Sequence, residues 1–180
     1  MNSLLKNAEP LGLTYTAYAS TINGDYSSPD KGFDDDSKYY LSKDGSGCPP
    51  NQWWQVSFSK DVSIIKYIIK TIASYGSRLH SWIINASFDN ETWKTVDAVT
   101  NHDTGGNTTP FELDKAVKCR HFRIVGKGNS SGNNVLHFTY FDCFGKLSSS
   151  NKIKCTKFCV YLSQKLFLDV FLSSLTITTS

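Results

Sequence analysis

The sequence predicts an all-β sandwich or barrel of about eight strands. Three observations carry this. Ser, Thr, Gly, Asn, Tyr, Ile and Val crowd the first part of the chain, while Ala, Glu and Leu at helical spacing are missing there. Apolar residues recur with period two in short runs. Polar clusters separate the runs at close intervals. The chain has 180 residues, 39% hydrophobic and 13% aromatic, enough to fill one core.

Tyr15 to Ser20 reads as an opening strand. From Thr21 to Pro50, Gly, Pro, Asp, Ser and Asn are dense, which predicts loop. Trp54, Val56 and Phe58 then alternate with Gln55 and Ser57, the mark of a strand with one wet face. Ile64 to Ile72 is apolar on both phases apart from Lys66 and Lys70, which predicts a strand buried on both sides. Trp82, Ile84 and Ala86 share a phase, and Trp93 to Val99 resumes after Asp89-Asn90. That interruption predicts a hairpin, because Asn and Asp tolerate the positive φ of tight turns. Phe122 and Ile124 alternate with His121 and Arg123, and Val135 to Phe144 closes the series. The expected core comprises Trp53, Trp54, Trp82, Trp93, Phe122 and Ile124.

Residues 1–13 read as an N-terminal segment, 14–147 as the domain, and 148–180 as an apolar tail that is helical or without a stable place in the fold. Phe158 to Ile177 is long enough to cross a bilayer, yet Gln164, Lys165 and Asp169 would lie near its middle. Each central charge costs about 2.5–3.5 kcal/mol. A tail packed on the domain or on a partner is therefore preferred to a membrane span. The opening residues hold no apolar run of signal-peptide length.

The cysteines are Cys48, Cys119, Cys143, Cys155 and Cys159, an odd set with irregular spacing and no disulfide pattern. Cys119 and Cys143 fall in expected strands and read as small buried apolar residues. Cys155 and Cys159 lack the second ligand pair of a zinc site. Together with the N-terminus, these features point to an intracellular, reducing compartment.

A net charge of +3 gives no argument for nucleic acid as partner. His80, His102, His121 and His137 show no metal-ligand spacing, and neither a nucleophile elbow nor a phosphate-binding Gly-rich loop is present. No catalytic group is expected.

Four segments resemble the coagulation factor type C domain, also called the discoidin domain. They are Gln52 to Phe58, Leu79 to Trp93, Arg120 to Ile124, and Phe141-Asp142-Cys143-Phe144-Gly145. Together they span about Thr14 to Leu147, and their order and spacing are the specific feature. The resemblance implies a galactose-binding-like jelly roll. Extracellular members commonly join their two ends by a disulfide, and no cysteine precedes Cys48 here. The hairpin is most similar to those of intracellular relatives that sit beside protein-interaction domains. Ser57-Phe58 replaces the family's usual Asp-Leu, and His121 its usual Tyr.

The resemblance implies a non-catalytic binding module whose ligand, a glycan or a protein, meets loops at one end of the barrel. The matching positions are Asn23, Tyr26, Tyr75, Arg78, His102, Lys127 and Asn133. Aromatic faces stack on sugars, while Asn and Arg supply directed hydrogen bonds. An interaction domain with no small ligand is the alternative. Phospholipid binding ranks below both, because the loop tips are polar and offer little to insert into lipid. No cofactor is expected. Asp34 and Asp36, and Asp142 in the closing strand, are the weak candidates for calcium. A solvated acidic loop and a structural carboxylate are the preferred readings.

Overall fold

The computed structural model describes residues 2–24, 27–33, 39–43, 49–71, 79–129, 132 and 135–148. Asp34, Asp36, Tyr26, Tyr75, Arg78, Asn133 and the tail beyond Ser148 lie outside them. The described residues hold nine strands and no α-helix. The strands are β1 (Asn2–Ser3), β2 (Tyr15–Ala19), β3 (Tyr40–Leu41), β4 (Trp53–Lys70), β5 (Leu79–Ser87), β6 (Lys94–Val99), β7 (Thr108–Asn129), β8 (His137–Phe138) and β9 (Tyr140–Leu147). A 3-10 turn spans Pro29–Phe33. All pairings are antiparallel, in the order β1-β9-β4-β7-β5-β6 with β2 beside β4, and β3 pairs with β8.

Two long strands organise this architecture. The first half of β4 lies between β2 and the second half of β7. Its second half lies between the first half of β7 and β9. The register breaks between Ser57 and Val62, where Ser59 and Lys60 are exposed. Such irregularities let a strand bend and change sheet. Trp54, Val56 and Phe58 from one half therefore face Ile64, Tyr67 and Ile69 from the other across one shared core. Sequence alternation alone shows these as separate strands. It also misses the first half of β7, Thr108 to Lys118, where exposed and half-buried residues dilute the pattern.

Trp54, Trp82, Phe122 and Ile124 are fully buried, as expected. Burying a large apolar side chain is worth roughly 1.5–3 kcal/mol. The indole N–H groups keep partners: Trp54 Nε1 donates to Pro29 O at 2.8 Å, and Trp82 Nε1 to Tyr67 Oη at 3.0 Å. Trp53 and Trp93 correct the expected core. Both are half-buried on the outer face, stacked on the Arg123 guanidinium at 4.0 and 3.7 Å. Trp53 is out of phase with Trp54, so it must point the other way. The second half of β4 is a further correction. Ile64, Tyr67 and Ile69 are buried, whereas Ile65 and Ile68 are only half-buried, so this stretch has one buried face and not two. The N-terminal residues are part of the packed unit: β1 pairs with β9, and Leu4, Leu5, Ala8 and Leu13 enter the core.

The Asp89-Asn90 turn forms as its residues require. Asn90 adopts φ 66°. Asp89 Oδ1 accepts from the Glu91 and Thr92 amides at 2.9 and 2.8 Å and from Ser87 Oγ at 2.9 Å. These donors hold its carboxyl below the usual carboxylate range. Gly145 has a different necessity. A Cβ there would lie 1.9 Å from the Ser63 carbonyl oxygen, so only glycine lets β9 run this close to β4.

Candidate functional site

The folding-over of β4 and β7 brings both ends of each strand to one end of the barrel. Trp53 pairs with Val125, and Lys70 with Thr108. Backbone bonds extend the pairing on each side, from Gly126 N to Gln52 O at 2.9 Å and from Thr139 N to Lys70 O at 2.9 Å, and the two sides meet where Trp54 packs on Phe141 at 5.2 Å, opposite Ile69. The connections from β2 to β4, β4 to β5, β6 to β7 and β7 to β8 therefore start and finish here. This is the end to which the sequence assigns ligand binding.

Three of the seven candidate residues are described. Asn23 is half-buried and held by its backbone: its N–H reaches Ser27 Oγ and Leu41 O, each at 3.0 Å, and its carbonyl accepts from Ser27 Oγ at 2.6 Å. Lys127 is exposed, and its Nζ donates to Asn51 Oδ1 at 2.6 Å. His102 is half-buried, its ring edge-on to Phe111 at 5.3 Å and to Trp82 at 6.3 Å, so it also lids the core.

Two bonded clusters emerge at this end. In one, Thr21 Oγ1 bonds Gln52 Oε1 and accepts from Lys43 N at 3.0 Å, while Gln52 Nε2 donates to Lys43 O at 2.9 Å. Asn51 and Lys127 adjoin it through Gln52 and Gly126. In the other, His102 N donates to His80 O at 2.9 Å, and His80 Nε2 faces Asp103 Oδ1 at 3.9 Å. Thr71 and Thr104 bond through their hydroxyls beside it. Sequence reasoning missed His80, Asp103, Asn51 and Gln52 as site residues. His80 and Gln52 open strand motifs, which disguised them as packing residues. Asn51 carried a visible signal, lying in a Pro-Pro-Asn turn, and it adopts φ 57°.

Asp142, the described calcium candidate, is buried. It accepts from Cys143 N at 2.7 Å and from Tyr140 Oη at 3.1 Å, and Ser3 also bonds it. Burial raises its pKa despite those donors. Its oxygens bind the protein's own donors and tie β9 to β1. A cleft of about 370 Å³ lies along a side wall, between β6 and the first half of β7, with Lys94, Lys115 and Lys118 among its lining residues.

The sequence profile of the F5/8 type C domain matches residues 16–139. The chain belongs to the F5/8 type C domain family. Among curated proteins, none matches it. Solved structures share the F5/8 type C fold at low identity. One is the family 32 carbohydrate-binding module of NanJ from C. perfringens in complex with galactose, 14% identical, with TM-score 0.62 over 72% of this chain and 92% of that one. A second is CpGH89CBM32-5 from Clostridium perfringens in complex with GalNAc-β-1,3-galactose, 13% identical, with TM-score 0.64 over 80% of this chain and 100% of that one. A third is chitosan-binding module 1 from a chitosanase/glucanase of Paenibacillus sp. IK-5, 22% identical, with TM-score 0.61 over 75% of this chain and 98% of that one. This F5/8 type C chain thus shares its fold with those modules, and among the described residues four of its strand connections begin and end at one end of the barrel.

Proposed function

We propose that the chain is a non-catalytic module that binds a glycan through the loop end of the barrel. The observation that carries this reading is the convergence of hydrogen-bonding side chains there: Asn51, Lys127 and Asp103 are exposed, and half-buried His80 faces Asp103. Lys127 and His80 stand near the ends of β7 and β5, while Asn51 and Asp103 lie in the adjoining connections. Sugars are recognised by such directed donors and acceptors on a preformed surface. Relatives of the same fold were solved with galactose, with GalNAc-β-1,3-galactose and with an unsaturated mannuronic acid, which supports a saccharide before another small ligand. Two buried thiols, Cys119 and Cys143, are free, which supports a reducing compartment for the module.

A glycan array with the full chain, followed by calorimetric titration of the hits, tests the reading. Saturable binding that weakens at least about fivefold in Lys127→Ala, with an unchanged circular dichroism spectrum, supports it. A blank array, or binding indifferent to Lys127, His80 and Asp103 together, overturns it.

A further inference from the structure

The outer face of the sheet carries a cation, Arg123, held between two indole rings. Arg123 stands on β7 opposite Gln55 of β4 and Asn85 of β5. Its guanidinium lies between the Trp53 and Trp93 rings, 4.0 and 3.7 Å from their centroids. Nε and Nη2 donate to Gln55 Oε1 at 3.1 and 2.7 Å. Gln55 is fixed in turn, its Nε2 donating to Asn90 Oδ1 at 2.9 Å and Ser57 Oγ at 2.8 Å. The stack is thus rigid, with both guanidinium faces covered and its orientation set.

Among the described residues no carboxylate pairs with Arg123, whereas Arg120 two positions earlier pairs with Asp61 at 2.7 Å. Gln55 supplies a neutral oxygen, so the full positive charge remains. Two of the five guanidinium N–H groups are engaged, which leaves both donors on Nη1 and one on Nη2. That edge has the geometry that takes a carboxylate bidentately. Burial disfavours the charged form of this group and lowers its pKa, as expected for a partly desolvated cation without an anion.

The surroundings narrow the source of the carboxylate. Asn85 Oδ1 accepts from Thr95 Oγ1 at 2.9 Å, which turns the Asn85 amide nitrogen to the other side. Thr95 and Asn90 add exposed polar groups, and Tyr18, 50% exposed, stands on β2 opposite Gln55. Aromatic rings among amide and hydroxyl groups suit a pyranose, with apolar C–H faces and a rim of hydroxyls. An acidic peptide would bring the carboxylate without the rim of hydroxyls that these amide and hydroxyl groups match.

We infer that the Trp53–Arg123–Trp93 stack is a second binding site, separate from the loop end, that takes the carboxylate of a uronic-acid-bearing glycan. Trigalacturonate is the probe, with its methyl ester and neutral galactotriose as controls, titrated into the full chain and followed by side-chain NMR. Saturable shifts of the Arg123 Nε–H and of the Trp53 and Trp93 indole N–H signals, about tenfold weaker for the methyl ester, are expected. Arg123→Lys keeps the charge but loses the fork, and should weaken trigalacturonate about tenfold. Should Arg123→Lys misfold, the wild-type shifts decide alone. Lys127→Ala, which disables the loop end, should leave these shifts intact. The inference fails if trigalacturonate leaves the Arg123 signal unmoved, if ester and acid bind alike, or if only a glutamate-rich peptide shifts it. Neutral glycans binding at the loops with no response at Arg123 would sink this site and spare the other.

Discussion

The hydroxyl of Tyr67 donates a 2.6 Å hydrogen bond to Asp97 Oδ2, joining β4 on one side of the core to the edge strand β6 on the other. The same oxygen accepts from Trp82 Nε1 at 3.0 Å. Burial, helped by Asp97, raises the Tyr67 pKa, so the phenol keeps the proton it donates. Tyr67→Phe keeps the ring but leaves two partners unmatched. It should cost about 1–3 kcal/mol in urea unfolding. An unchanged midpoint would show that the relay adds nothing to stability.

The pH dependence should carry the mark of His137. It is 4% exposed, and burial pushes its pKa from 6.5 down to about 4. Between those values the unfolded chain binds a proton that the folded chain refuses. Stability therefore falls as pH drops from 6.5 towards 4, by about 3 kcal/mol in all. His121, also shifted down by burial, adds to the slope, while Asp142, shifted up by burial, opposes it. Thermal melts of wild type and His137→Gln at several pH values should converge in acid. Parallel curves would refute a neutral buried imidazole.

Gly145→Ala should be among the most damaging single-methyl changes. The added carbon meets the Ser63 carbonyl oxygen at 1.9 Å and its carbonyl carbon at 2.9 Å, and backbone cannot rotate aside as a side chain can. A loss of about 3 kcal/mol or more is expected, with amide exchange faster along β4 and β9 than along β5 and β6.

Cys119 and Cys143 should resist alkylation in the native chain. Burial pushes the Cys119 thiol up to about 12 and the Cys143 thiol well above its usual value. The thiolate is the reactive form. Residue-resolved mass spectrometry after iodoacetamide at pH 8 should find both unmodified until denaturant is added. Native labelling of either would mean that the core opens readily.

Much of the architecture was legible because alternation is a one-dimensional record of which face is dry. Trp54, Val56 and Phe58, and Trp82 and Ile84, announced their strands in this way. The turn at Asp89-Asn90 was legible because few residues accept its φ. The joining of two runs into β4 was not, since a bend at Ser59-Lys60 looks locally like a loop. Trp53 and Trp93 misled because a large aromatic is a good core residue by type, and only phase and an unseen cation decide its face. At the loop end, His80 and Asp103 are 23 residues apart in sequence, and only the pairing of β5 with its neighbours brings them to 3.9 Å.

Because β4 and β7 each serve both halves of the sandwich, no cut through the chain yields a self-sufficient half. Neither layer can form ahead of the other, since each borrows strands from partners distant in sequence. Loop closure must then precede most of the reward, which places such a topology among the slower, all-or-none folders. Circular permutants opened within β4 or β7 should be far less tolerated than those opened at the Asp89-Asn90 turn.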